Sequence, residues 1–154
     1  MIESFAPGLG TMIRRLLAEL DGGTQQIYDQ IGASFRPRYF PIAQHLMKHN
    51  ATAVSRLSQE LSMTQPAISQ TLKEMERDRL VMFESGGDRR IRLARLTDHG
   101  RSTCRELERV WAASAQSADE LGGEIGVDLP DLLGRLIAAL ETRPFAIRIE
   151  EKLA

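Results

Sequence analysis

The sequence predicts a mainly α fold with a small β-hairpin near its middle. Three observations carry this expectation. Apolar residues recur at spacings of three and four along most of the 154 residues, the signature of helices that bury one face. Two β-prone runs, "LVMF" at 80–83 and "IRLARL" at 91–96, flank "ESGGDRR", which has the turn chemistry of a hairpin loop. Two short helical segments between residues 53 and 78 are joined only by the turn "LSMT".

From the N-terminus, Ile13, Leu16, Leu17, Leu20, Ile27 and Ile31 mark a helix over 11–31, whose phase survives Gly22-Gly23 and so favours one helix over two. Pro37 and Pro41 frame a second helix carrying Tyr39, Phe40, Ala43, Leu46 and Met47, which ends at His49-Asn50. Thr52 is a candidate cap for a helix over 53–61 that turns Val54, Leu57 and Leu61 inward. Thr64 is the next N-cap candidate, with Pro66 in the first turn, where its missing N–H costs nothing. The helix from Gln65 to about Asp78 points Ile68, Leu72 and Met75 inward and Pro66, Ser69, Gln70, Lys73 and Arg77 outward. After the hairpin, Thr97 caps a long helix with Cys104, Leu107, Trp111, Ala115, Ala118 and Leu121 on one side, ended by Gly122-Gly123. Asp128 caps a last helix with Pro130 in its first turn and a leucine-rich face, stopped by Pro144. The tail "FAIRIEE" alternates like a strand.

Composition narrows the class. A chain that is 42% hydrophobic and 27% charged has enough apolar material for a core, and its length suits a single domain, 1–154. One cysteine excludes an intrachain disulfide and fits a reducing compartment. The opening "MIESFAPGLGTMIRR" lacks the apolar core of a signal peptide, and no stretch is long enough for a membrane span, so a cytoplasmic protein is expected. The net charge of −1 argues against a generally nucleic-acid-coated surface, yet residues 84–95 hold four arginines against two acids. Apolar helices at both ends carry more surface than the small central module can cover, and a second copy of the chain is the simplest cover. No phosphate-loop, nucleophile-elbow or HExxH pattern is present, and catalysis is not expected.

The runs "LSQELSMTQPAISQTLKEMERDRLV", 57–81, and "GGDRRIRLARLTDHG", 86–100, resemble the multiple antibiotic resistance regulator (MarR) family of winged helix-turn-helix transcription regulators. The match rests on "QPAIS" at the start of the recognition helix and on Asp88-Arg89-Arg90 set before Leu96-Thr97-x-x-Gly100. One departure is "DRL", 78–80, where the family usually has a glycine before the leucine. The resemblance implies a winged core at about 37–97, with dimerisation helices at about 9–33 and 97–143. It implies a homodimer on a pseudo-palindromic double-stranded DNA site, more in the manner of a repressor than an activator. The helix 65–78 would lie in the major groove, with Thr64, Gln65, Ser69 and Gln70 at base edges, Lys73 at a phosphate and Pro66 also at the DNA surface. The wing, 84–91, would enter the minor groove through Arg90, braced by Asp88, with Arg89, Arg92 and Arg95 as phosphate contacts, intramolecular ion pairs or solvated charges, at most one of them on DNA. A small lipophilic or aromatic effector, of the kind that often releases the family from DNA, would draw on Ile13, Leu17, Tyr39, Phe40, Ala43, His45 and Trp111. No cofactor is expected.

Two other readings compete. Winged helices also serve as protein-interaction modules. His45 and His49, at i and i+4, could place two imidazoles on one helix face, with His99 and Cys104 further along, as in a metal-dependent regulator. Against metal, no Glu or Cys neighbours the pair in sequence, and His49 falls where its helix should end. Cys104 continues the apolar spacing of its helix, which favours a buried small hydrophobe over a redox sensor.

Overall fold

The computed structural model describes residues 8–87 and 91–153. Its helices are α1 (Leu9–Gln30), α2 (Phe40–Lys48), α3 (Val54–Glu60), α4 (Gln65–Arg77), α5 (Asp98–Glu124), α6 (Leu129–Thr142) and α7 (Phe145–Leu153). A 3-10 turn, Pro37–Tyr39, leads into α2. Strands β1 (Thr52–Ala53), β2 (Val81–Ser85) and β3 (Arg92–Leu96) form an antiparallel sheet in the order β1-β3-β2. The chain divides into two compact units, with the break between Glu108 and Arg109 inside α5.

The N-terminal unit holds the helix-turn-helix and the hairpin. Its core combines Leu57 from α3, Ile68, Leu72 and Met75 from α4, Ala94 and Leu96 from β3, and Leu107 from α5, all essentially without solvent exposure. Each of the leucine, isoleucine and methionine side chains among them stabilises the fold by roughly 1.5–3 kcal/mol. Phe35 joins the 3-10 turn to α1 through edge-to-face contacts with Tyr28 at 5.4 Å and Tyr39 at 5.5 Å. Gln25 reinforces that joint by donating to the Phe35 carbonyl at 3.1 Å.

The hairpin registers Val81 against Leu96 and Ser85 against Arg92. At its base, Thr97 caps α5 by accepting the Gly100 N–H at 2.9 Å, while its own hydroxyl donates to the Arg79 carbonyl at 2.7 Å. The Thr97 N–H donates to the Leu80 carbonyl at 3.0 Å. Gly100 must be glycine for this junction to close, because a Cβ there would lie 2.0 Å from the Leu80 oxygen. Arg79, where the resemblance calls for a glycine, sits in the left-handed region at φ 60°.

Several expectations are corrected. Thr52 does not cap α3; it belongs to β1, paired with Ala94, and the backbone of Ala53 begins the helix without a side-chain cap. A strand of two residues is too short to leave a periodic signal. Of the three residues expected inward on α3, only Leu57 is buried. The long α5 runs through Gly122-Gly123 to Glu124, because the left-handed residue that closes it is Gly126 at φ 71°. The tail is helix α7 rather than a strand: Phe145, Ile149 and Leu153 are spaced by four, and Arg148 donates to the carbonyls of Arg143 and Ala139. α1 spans Gly22-Gly23 unbroken, yet Tyr28 is its only buried residue, and Ile13, Leu16, Leu17 and Leu20 are exposed.

Within the C-terminal unit, Asp128 caps α6 by accepting the Asp131 N–H at 2.9 Å. α6 has no buried residue, so Leu132, Leu133, Leu136, Ile137 and Leu140 all face solvent in the single chain. No helix among the described residues is long and apolar enough to cross a membrane.

Two substitutions at the hairpin base test this account in opposite directions. Gly100→Ala is expected to cost about 1–3 kcal/mol as a steric overload in denaturant unfolding. Arg79→Gly is expected to add about 1 kcal/mol by removing the strain of a left-handed non-glycine residue.

Candidate nucleic-acid interface

The turn between α3 and α4 is tight and internally bonded. Ser62 adopts φ 52°, the Met63 N–H donates to the Ser58 carbonyl at 3.1 Å, and the Ser58 hydroxyl donates to the Met63 carbonyl at 2.5 Å. Thr64 then takes extended geometry, and its hydroxyl oxygen accepts the Ala67 N–H at 3.3 Å. Pro66 occupies the first turn of α4. With Ile68, Thr71, Leu72, Glu74 and Met75 turned inward, Thr64, Gln65, Pro66, Gln70 and Lys73 are exposed and Ser69 is half-buried. All six expected major-groove residues therefore reach the surface along the first two and a half turns of one helix.

Polar contacts that the sequence did not announce hold α4 from its inner side. Glu74 accepts from Arg38, and from the Gln70 amide at 3.1 Å. Burial pushes the Glu74 carboxyl up, but the hydrogen bonds from Arg38 and Gln70 outweigh it and hold it below its ordinary value. At the end of the helix the Tyr39 hydroxyl donates to Asp78 at 2.7 Å. Burial, followed by that hydrogen bond, pushes the Tyr39 phenol up to about 12. Gln70 thus spends one amide hydrogen inside the protein. Arg38 and Glu74 lie 36 positions apart, which no local spacing rule would have joined.

In the hairpin, the Gly86 N–H donates to the Ile91 carbonyl at 2.8 Å and closes the described part of the loop. Asp88, Arg89 and Arg90 lie outside the described residues. The other two arginines of the run are engaged within the wing. Arg92 stacks over the Phe83 ring at 4.1 Å, and Arg95 pairs with Glu84 at 2.9 Å.

The residues expected to line an effector pocket have diverse settings. Tyr39 and Ala43 have no exposed surface, Phe40 is half-buried, and Ile13 and Leu17 stand exposed on α1. Trp111 is half-buried and falls in the C-terminal unit. His45 is buried in a different company: Nδ1 lies 3.3 Å from Glu60, Nε2 lies 3.3 Å from the Thr52 hydroxyl, and the His49 ring is 4.5 Å away. A polar depression of the N-terminal unit is lined instead by Gln25, Asp29, Phe35, Arg36 and Asp78. Cys104 is fully buried, and burial pushes its thiol up to about 11 against the opposing pull of Arg101. A thiol so placed stays protonated near neutrality, unlike a redox sensor.

Glu74 supplies a pH test. Its folded pKa is depressed from the ordinary 4.5, so its pairing stabilises the protein above that value and is lost as pH falls through the folded pKa. Unfolding measured from pH 6 downward should show wild type losing stability below about 4.5, with Glu74→Gln giving a shallower slope over the same window.

Comparison with known proteins agrees with this geometry. Residues 35–91 match the model of the MarR family. None of the curated proteins matches the chain significantly. Among solved structures, M. tuberculosis transcriptional regulator MOSR in complex with DNA aligns with a TM-score of 0.71 and 20% identity, over 92% of this chain and 99% of that one. The S. aureus MepR–DNA complex gives a TM-score of 0.69 and 17% identity, over 89% and 99%. Bordetella bronchiseptica BpsR, whose DNA binding is regulated by 6-hydroxynicotinic acid, gives 0.66 and 16%, over 94% and 99%. Residues 35–91 thus resemble the MarR family, and the chain has the winged helix-turn-helix fold of the regulators it aligns with.

Proposed function

We propose that the protein is a homodimeric, sequence-specific double-stranded DNA-binding transcription regulator, a repressor released by a small-molecule effector. The observation that carries this reading is the outer face of α4. Uncharged hydrogen-bonding groups, Thr64, Gln65, Ser69 and Gln70, gather at the start of a helix whose opposite side is fixed by core and ion pair. Such groups suit base edges in a major groove, where donor and acceptor patterns distinguish the base pairs. Lys73, two turns on, suits a phosphate. Glu74 holds one Gln70 amide hydrogen, leaving the second hydrogen and the carbonyl oxygen for a base, whereas Gln65 and Ser69 are uncommitted to Glu74.

In the wing, Arg90 is the minor-groove residue, with Asp88 bracing it and Arg89 at the backbone. Since Arg92 and Arg95 are held by Phe83 and Glu84, the reach of the wing falls to its tip. The exposed apolar stripes of α1 and α6 support assembly with a second copy, because monomeric proteins rarely leave contiguous faces of that kind in water. Two structural relatives are DNA complexes and a third responds to 6-hydroxynicotinic acid, which supports both the DNA and the effector parts of the proposal.

Selection of bound sequences from a random duplex pool tests the reading directly. A pseudo-palindrome should emerge, with half-sites roughly 34–36 Å apart, and affinity should fall steeply with salt. Failure to enrich any sequence, or an affinity indifferent to salt, would sink the proposal. Arg90→Ala should weaken binding by about tenfold or more while leaving the dimer and its helicity intact.

A further inference from the structure

We infer that His45, His49 and Glu60 form a binding site for a divalent transition-metal ion of the zinc type, which clips the end of α2 to the end of α3. One ligand atom from each of the three residues lies within 4.8 Å of the other two. The pair already in place is His45 Nδ1 and Glu60 Oε2, 3.3 Å apart. Metal–ligand bonds of about 2.0–2.1 Å at tetrahedral angles put neighbouring donor atoms roughly 3.3 Å apart, the spacing of the His45–Glu60 pair, with His49 to be drawn in from within 4.8 Å.

The surroundings prepare each ligand. His45 is buried, and its Nε2 lies 3.3 Å from the Thr52 hydroxyl in β1. Without an ion, Nδ1–H can donate to the Glu60 carboxylate; with one bound, the proton would sit on Nε2 and be donated to the Thr52 hydroxyl, freeing Nδ1 to ligate. Glu60 has one oxygen held by the Arg56 Nε at 2.6 Å and turns the other to His45. His49 ends α2, yet its N–H still donates to the His45 carbonyl at 2.9 Å, so the i, i+4 relation of the two rings survives the helix end. Its ring and the Glu60 carboxylate are solvent-exposed, which gives an ion a path in and leaves a fourth position for water. Three nitrogen and oxygen donors suit Zn²⁺ or Co²⁺ better than the oxygen-rich coordination of Ca²⁺ or Mg²⁺. Arg56 competes for the same carboxylate and moderates the affinity.

The test uses the full chain, free of any tag and stripped with chelator, titrated with Zn²⁺ alone by calorimetry and with Co²⁺ alone by visible absorption. One ion per chain is expected, with a nitrogen- and oxygen-ligated cobalt spectrum free of thiolate bands. Saturating Zn²⁺ should raise the melting temperature by roughly 5 °C. His49→Gln and Glu60→Gln change exposed side chains and should fold, each weakening Zn²⁺ by about tenfold or more. His99→Gln, at an exposed histidine on α5, should leave binding as it is. No saturable binding, or stoichiometric binding that survives either ligand substitution, overturns the site and leaves the three side chains as a hydrogen-bonded joint between α2 and α3.

Discussion

The carbonyl of Leu80 is the constraint on which the wing depends. It receives the Thr97 N–H and lies so close to Gly100 that any side chain there would collide with it. Three pieces meet at that oxygen: the exit from α4, the root of the hairpin and the first turn of α5. The direction of the wing relative to α4 is therefore set by a backbone contact, with the Thr97 hydroxyl on the Arg79 carbonyl as a second tie. A hairpin anchored only by its own ladder would be free to swing, whereas this one leaves its parent helix along a path fixed within a few residues.

The same economy governs α4. The start of its outer face is left to uncharged side chains, with Lys73 and Arg77 further along, and its rigidity comes from the other side. There Ile68, Leu72 and Met75 are enclosed, and Glu74 and Asp78 are held by Arg38 and Tyr39 from the 3-10 turn and its junction with α2. Side chains that contact a nucleic acid must be presented without a large ordering cost, and a helix fixed from beneath provides this. In the wing, Phe83 and Glu84 occupy Arg92 and Arg95, which confines unassigned positive charge to the loop.

Much of this was legible in the residues, for physical reasons. Helices with a strong three-and-four pattern, such as α1, α4 and α6, announce themselves, as do caps whose side chain accepts a nearby N–H, such as Thr64, Thr97 and Asp128. The fold and the outward face of α4 follow from those signals. What escaped falls into two kinds. Short or ambiguous runs mislead: β1 is two residues long, and "FAIRIEE" fits both periods until Pro144 and the capping role of Arg148 favour a helix. Contacts between distant positions leave no local mark, as with Arg38 on Glu74, and with Glu60, which reaches the His45–His49 pair only because α3 folds back beside α2.

The bare faces of α1, α6 and α7 have a thermodynamic consequence. Helices that bury almost nothing within one chain draw little stability from that chain, since in water a helix of their length holds mainly through packing of its apolar face. In the dimer proposed above, what keeps them folded comes from association, and association obeys mass action. The folded fraction of such a dimer is a function of how much of it is present: at low abundance its outer helices would fray first, and the small core around Leu57, Ile68 and Leu72 would remain.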